Sequence, residues 1–521
     1  MNSIFKNIIT ASVVGFMLTS CDMLDVTPSN SVEETDLFTT GYGFRNALNG
    51  VYLHIGSSDI YGENLSWGFL SSVAQEYLTD DSQQGSSSYQ LTRDAASFIF
   101  NSTETKSAIG EIWETQYSII ANINKIIAHV EEAPVDIFTY GQDEKDLIAG
   151  EAYALRAMLH FDLLRLFAPA PATNPTGTYL PYRDTFSASV GTKLSVSEYL
   201  EKVMADLNKA LPLLKHFDLE VHPSAMYASM MTESAPQWNS RYRFDSSMYI
   251  DDMGEFFWFR GWRINYLAAL GLQARISMYA GENYYPYASS AAKELYNTFY
   301  KERKWIGFTP QENITCSPDL RYTKLSCDVL FGAYYRNLAT DYDAKLMGAN
   351  NTVRYPLAGI SELYASDNTG LYSDYRYTYT IAASNASASA WYSLKYRTTS
   401  EAIASKVENP MIPLIRFSEI CHILAELSAY NGKISEGISY LEEVRKARGA
   451  ERSLSLTVST KEQLMDEILL DARKEYSCEG NIFYMYKRLN TQYVQDSSNP
   501  SVMKDMTPGY VLPIPTSENP F

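Results

Sequence analysis

Apolar residues at helical spacing recur in long runs along this chain, and no other feature constrains its fold as strongly. In residues 112–133 isoleucines share one face, and a proline follows directly. Residues 146–167 and 195–214 repeat the pattern. A period of 3.6 residues sustained over such lengths predicts amphipathic helices that pack side by side. The sequence therefore predicts a mainly α-helical fold.

Two segments have the length of a helix–turn–helix repeat. The first runs from Gly261 through a turn at residues 281–286, and its first helix is rich in alanine and carries Gly271. Small side chains let a neighbouring helix approach closely, and a unit of about 34 residues is typical of tetratricopeptide repeats. Residues 413–450 form the second candidate. The strict consensus is absent, so a set of unrelated helical hairpins is the alternative.

Helical blocks alternate with segments of weak periodicity. We expect helical repeats at about 36–214, 261–300 and 413–490. We expect irregular binding segments at about 79–105, 215–260 and 301–412, where alternations such as YSDYRYTYTI predict strands. Long irregular segments in a compact domain usually have a function. The prediction is a single body, residues 35–521: a helical scaffold with a large irregular ligand-binding portion that contains a few short strands.

The N-terminus has the pattern of a bacterial lipoprotein signal peptide, which we predict for residues 1–20. Lys6 precedes an apolar run of about eleven residues, too short to span a membrane. The run ends in Leu-Thr-Ser-Cys, a lipobox in which Cys21 becomes acylated. Residues 21–34 lack a helical apolar face, which predicts a lipidated flexible tether. An ordinary cleavage site with a chance cysteine is the alternative.

Composition narrows the choice of partners. The formal net charge of −18 argues against nucleic acid and against anionic lipid surfaces. The 40 tyrosines offer flat apolar faces with polar tips, which suit exposed recognition surfaces.

Four cysteines follow Cys21. Cys421 and Cys478 fall in apolar helical patterns and are expected to be small buried hydrophobes. Cys316 and Cys327 lie in an irregular segment, so a disulfide between them stays open. The absence of a CxxC pair gives no support to a zinc or redox site.

A search for catalytic chemistry finds no HExxH, P-loop or GxSxG pattern. The segment HFDLEVH, residues 216–222, could bind a metal, but a solvated linker is the favoured interpretation because histidines on a loop have no fixed geometry. We therefore predict that the protein is not an enzyme and that it has no cofactor and no metal site. A calcium ion that orders the loops, and a surface glycoside hydrolase or peptidase, are alternatives.

Five motifs behind the lipobox, in this order, resemble the SusD/RagB family of surface lipoproteins. They are CDMLDVTPSN (21–30), GEAYALRAMLHFDLLRLFAPAP (150–171), NPMIPLIRFSEICHILAEL (409–427), ARKEYSCEGNIFYMYKRLN (472–490) and YVLPIPTSENPF (510–521). Phe417 departs from the commoner tyrosine of that family. Asn481 and Tyr484 stand where the family usually has arginine and aspartate.

The resemblance implies a tetratricopeptide-like scaffold in a non-catalytic lipoprotein exposed on the outer membrane. Such a protein captures glycans and delivers them to a SusC-like TonB-dependent transporter. Binding of peptides or another nutrient in the same role is the alternative. The resemblance also implies that Arg156, Asp162 and Arg165 hold helices together and are not catalytic.

Sugar rings stack on aromatic planes, while their hydroxyls bond carboxylates, amides and guanidinium groups. Trp67, Trp113 and Trp262 fall in or next to helical patterns and are expected in the core. A packed loop side chain is the alternative for each remaining candidate. The candidate ligand-binding residues are Asp81, Tyr89, Arg93, Trp305, Trp391 and Tyr392.

Overall fold

The computed structural model describes residues 34–79, 87–187, 191–226, 253–347, 353–365, 374–384, 390–398, 408–450, 452–499 and 501–515. Cys21, the predicted signal peptide and nearly all of the predicted tether lie outside these residues, so those predictions stay predictions.

Most of the described chain is helical. The helices are α1 (Glu34–Leu37), α2 (Gly41–Ile55), α3 (Phe69–Val73), α4 (Ser87–Ala96), α5 (Thr103–Glu132), α6 (Gly141–Phe167), α7 (Val196–His216), α8 (Tyr266–Ala280), α9 (Tyr285–Lys293), α10 (Gln311–Thr315), α11 (Leu338–Leu346), α12 (Ile360–Ala365), α13 (Tyr375–Thr380), α14 (Phe417–Tyr430), α15 (Ile434–Ala447), α16 (Lys461–Glu475) and α17 (Asn481–Arg488).

Eight short strands form four antiparallel pairs. The pairs are β1 (Thr178–Pro181) with β2 (Lys193–Ser195), β3 (Val329–Tyr334) with β6 (Met411–Arg416), β4 (Ile381–Ala383) with β5 (Trp391–Ser393), and β7 (Tyr493–Gln495) with β8 (Met503–Asp505).

Polar side chains fix the starts of the long helices. The Ser102 hydroxyl accepts a hydrogen bond from the Thr105 N–H at the start of α5. Ser195 and Glu198 form a reciprocal capping box at the start of α7, with the Ser195 N–H donating to Glu198 over 2.9 Å. These bonds satisfy backbone donors that have no partner within the helix.

Neighbouring helices pack on one another around one large apolar core, and a smaller apolar cluster lies between α14, α15 and α16. Helices α5, α6 and α7 form one such stack, α8 pairs with α9, and α14 packs on α15 and α16. Gly271 in α8 does allow a close approach, although by a strand and not by the predicted helix: a Cβ there would lie 2.8 Å from Ile415 Cγ2 in β6. The helical scaffold predicted from the sequence is confirmed.

Arg156 ties three helices of the first stack together. Its guanidinium, in α6, donates two hydrogen bonds to Asp206 in α7, over 2.6 and 2.7 Å, and a third to Asn124 in α5 over 2.8 Å. Both charged side chains are buried, so removing either would strand the other. Arg165 bonds Asp162 in its own helix, and its guanidinium lies 3.5 Å from the centre of the Tyr484 ring in α17. The expected structural role of these motif residues is confirmed.

A second buried charge network explains the arginine–glutamate motif near the C-terminus. Glu475 in α16 accepts hydrogen bonds from Arg448 and Arg376, and Glu479 accepts from Arg416 and Lys395. These side chains come from segments far apart in the sequence. They hold β6 and α13 against α15 and α16.

The strand predicted for YSDYRYTYTI is wrong, because Tyr375–Thr380 is helical and only Ile381–Ala383 is a strand. Asp374 accepts a hydrogen bond from the Arg376 N–H over 3.0 Å at the start of this helix. The buried Arg376 side chain bonds Asp374 and Asp471, over 2.9 and 2.8 Å. A tertiary ion pair therefore outweighs the alternating pattern of the tyrosines.

The solvated linker predicted at residues 216–222 is also wrong. Helix α7 continues as a π-helical turn, Phe217–Val221, and Asp218 is fully buried. Its carboxylate accepts from Arg260 Nε and from the Tyr266 N–H, both over 2.7 Å. His222 is buried against Trp258, with ring centres 4.8 Å apart. The arginine that neutralises Asp218 lies 42 residues further along, beyond the reach of local pattern reading.

The last part of the chain closes over the first helices. The Leu512 N–H donates to the Leu166 carbonyl over 3.0 Å, and the Thr79 N–H donates to the Ser497 carbonyl over 3.2 Å. The Cys478 N–H donates to the Glu76 carboxylate over 3.1 Å. We call these contacts the C-terminal clamp.

The remaining predictions for the core are largely correct. Trp67 and Trp113 are buried, but Trp262 is only half-buried and lies edge-on to Tyr334. Cys421 and Cys478 are buried thiols, as expected. Cys316 and Cys327 do not form the disulfide that stayed open.

Candidate functional site

A polar cleft of about 330 Å³ opens beside the N-terminal end of α5. Protein ligand sites commonly have volumes of about 300–1,000 Å³. The cleft is lined by Ser58, Asp59, Glu63, Asn64, Leu91, Glu104, Ser107, Ala108, Glu111, Lys345 and Tyr355.

One wall is a face of α5 and the other is the turn that follows α2. Glu104, Ser107 and Glu111 recur every three or four residues, so they share one side of the helix. The Asn64 amide crosses between the walls: it donates to the Asp59 carbonyl over 3.1 Å and to the Glu111 carboxylate over 3.2 Å. Ser107 donates to the other oxygen of Glu111 over 3.0 Å. The polar groups are therefore held in place before any ligand arrives.

The ion pair of Glu63 with Lys345 closes one end of the cleft. Glu63 is buried, and its burial raises the pKa of its carboxyl group, although the nearby Lys345 ammonium opposes the rise. Lys345 is part of α11, in the segment predicted to bind ligand. It supplies the cleft's cationic group.

Tyr355 borders the cleft but is itself buried, only 2% exposed, and its ring is fixed from behind. Its ring lies edge-on to Trp67 at 6.1 Å and packs against Tyr77 at 5.1 Å between centres. An isolated β-bridge joins Tyr77 to Leu357, and the Ala358 N–H donates to the Glu76 carbonyl over 2.8 Å. These contacts hold residues 353–358, which we call the strap, against the N-terminal half.

The lining suits a ligand rich in hydroxyl groups. Carboxylates accept hydrogen bonds from hydroxyls, an ammonium donates to them, and serine and asparagine do both. Four carboxylates face a single lysine, so the cleft disfavours strongly anionic ligands.

Two of the candidates from the first polar segment lie on α4, not on a loop. The prediction that Tyr89 is an exposed aromatic is wrong, since it is only 3% exposed. Arg93 is half-buried and donates to the Gln90 side chain over 2.6 Å. Asp81 lies outside the described residues.

The other candidates are half-buried and packed on neighbours. Trp305 packs on Phe299, with ring centres 5.6 Å apart. Trp391 packs on Tyr377 at 5.2 Å, and its carbonyl accepts from the Leu357 N–H over 2.7 Å. Tyr392 is next to it on β5, beneath Arg397. Ligand contact by these residues stays a prediction.

Two of the three predicted binding segments reach the cleft, although through different residues, and no residue of the third, 215–260, lines it. Residues 79–105 contribute Leu91 and Glu104, and residues 301–412 contribute Lys345 and Tyr355. None of the five described candidates lines the cleft. Glu63, Asn64 and Glu111 were missed because isolated polar residues next to a helix carry no distinctive sequence signal.

Across the described ranges, no group of three or more histidine, cysteine or acidic residues could hold a metal ion. The same residues include no helix both long and apolar enough to cross a membrane.

Two family models match different parts of the chain. A model described as starch-binding and associating with the outer membrane matches residues 22–231, and the SusD family model matches residues 334–518. Together they cover most of the sequence. The chain belongs to the SusD/RagB family.

Relatives of this SusD/RagB protein are distant but match along nearly the whole chain. SusD-like protein P38 of Formosa agariphila is 22% identical, and the match covers 93% of this chain and 92% of that protein. The crystal structure of a SusD superfamily protein from Bacteroides thetaiotaomicron has a TM-score of 0.64 at 20% identity, covering 92% of this chain and 98% of that one. A SusD-like carbohydrate-binding protein from Bacteroides vulgatus has a TM-score of 0.60 at 19% identity, covering 87% and 84%.

Two of the three departures from the usual SusD/RagB motifs, Phe417 and Tyr484, lie in packed positions, whereas Asn481 is half-buried at the start of α17. Phe417 is fully buried against Tyr300 and Phe308, with ring centres 4.7 and 5.2 Å away. Tyr484 is buried beneath the Arg165 guanidinium. Both changes therefore affect how helices pack rather than the polar cleft.

Proposed function

We propose that this SusD/RagB protein is a non-catalytic, lipid-anchored receptor on the cell surface that captures glycans. It passes them to a SusC-like TonB-dependent transporter in the outer membrane. The polar cleft is the proposed capture site.

The observation that carries the proposal is the preformed cleft itself. Its carboxylates, amide, hydroxyls and ammonium converge on one space of ligand size. Hydrogen bonds within the lining already fix Asn64 and Glu111, so binding loses little conformational freedom. The family descriptions, which name starch and carbohydrate binding, agree with this chemistry.

The first experiment is titration of the purified protein by calorimetry. The probes are linear neutral oligosaccharides of glucose, xylose, mannose or galactose, here called the oligosaccharide panel. We expect at least one member to bind. If none binds while a peptide library does, the alternative of a peptide receptor replaces the glycan proposal.

Two glutamates on α5 make a matched pair of variants. Glu111 lines the cleft. Glu114 is exposed on the same helix but does not line the cleft. Glu111→Ala removes a charged acceptor, and hydrogen bonds to charged groups contribute about 1.5–3 kcal/mol. We expect a loss of affinity of about tenfold or more. Glu114→Ala should bind like the wild type, and equal losses in both variants would refute the assignment of the cleft.

Product analysis tests the non-catalytic role. Glycosidases use a general acid with a raised pKa and a second carboxylate across the cleft, and the raised pKa of Glu63 fits the first requirement. Glu63 is nevertheless bound to Lys345, which favours its ionised form. We expect the panel to be recovered intact after prolonged incubation. Shortened oligosaccharides that disappear with Glu63→Gln would establish a hydrolase.

A further inference from the structure

A second groove, of about 310 Å³, lies on the other side of α5 and is bordered by aromatic side chains. One wall is a helix face with Trp113, Tyr117 and Asn124, and the other is the segment 181–187. Two residues along an α-helix correspond to a rotation of about 200°, so Trp113 points away from Glu111 in the polar cleft. We call this space the aromatic groove.

The segment that forms the outer wall is bonded firmly to the helices. The Tyr117 hydroxyl donates to the Pro181 carbonyl over 3.2 Å, and the Asn124 amide donates to the Arg183 carbonyl over 3.0 Å. Arg156 donates to the Asp184 carbonyl over 3.0 Å. The aromatic groove therefore exists before binding, which lowers the entropy cost of occupying it.

His160 strengthens the same wall. Its Nε2 lies 3.0 Å from the Arg183 carbonyl, and its Nδ1 lies 2.6 Å from the Tyr199 hydroxyl. Burial lowers the pKa of His160 to about 3, so the ring is neutral. The neutral ring donates from Nε2 to the carbonyl and accepts at Nδ1 from the tyrosine.

Phe186 is the main exposed apolar group of the aromatic groove. It is 62% exposed, and the Lys125 ammonium lies 4.2 Å from its ring centre. A single exposed phenylalanine is common on protein surfaces, but this ring lies at the rim of a groove whose lining also includes Trp113 and Tyr117, so it can contact a ligand held there.

The chemistry of the aromatic groove matches a sugar chain better than a purely apolar ligand. The faces of Tyr117 and Phe186 suit the C–H faces of sugar rings. Around them lie the Arg183 guanidinium and the exposed hydroxyls of Thr185 and Ser187, which suit sugar hydroxyls. We propose that the aromatic groove is a second carbohydrate-binding site, separate from the polar cleft, a proposal that rests on the proposed glycan-binding function.

The two sites lie on different faces of α5. Glu111 lines the polar cleft and Trp113 lines the aromatic groove, about 200° apart around the helix axis. No residue lines both sites. Variants at one site therefore should not disturb the other.

The test measures binding stoichiometry by calorimetry, using the oligosaccharide panel, the wild type and three variants. The wild type should bind two equivalents of an active oligosaccharide. Phe186→Ala should lower the affinity of the aromatic groove about tenfold, which is the effect of losing one aromatic stacking contact. Glu111→Ala should lower the affinity of the polar cleft only. Tyr287→Ala is the matched control, since Tyr287 is 55% exposed and lines neither site.

The outcomes separate this inference from the proposed function. A single equivalent that is lost in Glu111→Ala and unchanged in Phe186→Ala overturns the second site and leaves the cleft in place. A single equivalent lost only in Phe186→Ala supports the aromatic groove and refutes the cleft. If no member of the panel binds the wild type, both proposals fail. Thermal melting of all three variants checks folding, and we expect little change because each replaced side chain is exposed.

Discussion

Replacing Glu76 by Gln should stabilise the protein at neutral pH but not in mild acid. Glu76 lies where the C-terminal clamp meets the strap behind Tyr355. One carboxylate oxygen accepts from the Cys478 N–H, and the other is shielded from solvent without a hydrogen-bond partner. Burial raises the pKa of Glu76 to about 7, above its ordinary value of 4.5. Hydrogen bonds and the nearby Lys395 oppose the rise without cancelling it.

The sign of the effect follows from linkage. An acid whose pKa is higher in the folded state favours folding while it is protonated, and that contribution is lost as the pH rises from 4.5 through about 7. A shift of about 2.5 pKa units corresponds to about 3 kcal/mol. Glu76 also borders a small cavity of about 30 Å³ that opens to solvent, and this makes about 3 kcal/mol an upper figure. Glutamine keeps the acceptor for Cys478 and never ionises.

Urea denaturation of the two proteins at pH 5 and pH 8 measures the difference directly. The glutamine variant should gain up to about 3 kcal/mol at pH 8 and much less at pH 5. Comparing the variant with the wild type at each pH removes the contribution of every other titrating group. Glu114→Gln, an exposed carboxylate on α5, controls for loss of charge. An advantage that is equal at both pH values, or absent at both, would refute the reasoning.

Three further predictions test the scaffold and the anchor. Arg156→Met leaves the buried Asp206 carboxylate without its two-pronged partner and should cost about 3–5 kcal/mol in urea denaturation. Gly271→Ala brings a methyl group within 2.8 Å of a neighbouring isoleucine and should cost about 1–3 kcal/mol. Gly110→Ala is the control: its added methyl group meets nothing within 4 Å and should stabilise α5 by about 0.5–1 kcal/mol. The same change in unfolding free energy for both variants would contradict the close packing at Gly271. Cys21→Ala should leave folding and glycan binding intact, release the protein from the outer membrane and slow growth on the cognate nutrient; a variant that stays in the membrane fraction without its transporter would exclude the lipid anchor.

Local patterns predicted the helical scaffold well. The run at 112–133 lies within α5, and the run at 195–214 nearly coincides with α7. Helical periodicity depends on neighbours three and four residues away, so a single sequence contains it. The role of Gly271 could be predicted for the same reason, since small residues in a helix allow close packing whichever partner arrives.

Long-range ion pairs explain the failures. The sequence predicted that Asp218 lies in a solvated linker and that Arg376 lies in a strand of alternating residues. Each is buried because a partner of opposite charge arrives from another part of the chain. Charged residues are almost never fully buried unless they are paired, and sequence alone does not reveal the pairing.

The candidate site was predicted at the level of segments but not of residues. Aromatic residues were favoured because sugars stack on them, yet Tyr89 turns inward and Trp391 packs on Tyr377. The cleft is instead built from ordinary acids and amides, such as Glu111 and Asn64. Their role in the cleft follows from the side chains that face them across it, and the sequence does not show which side chains those are.

The C-terminal clamp has a consequence for the order in which the chain folds. The hydrogen-bond partner of Glu76 lies 402 positions further along the chain, and that of Thr79 lies more than 400 positions further along. The loop between such partners must be closed before their contact contributes any stability, and contacts of high sequence separation slow folding. The first helices can stack on one another as they emerge, because their contacts are local. The strap that carries Tyr355, by contrast, gains its full support only when the last forty or so residues arrive, so the cleft should be among the last parts of the molecule to reach its final shape.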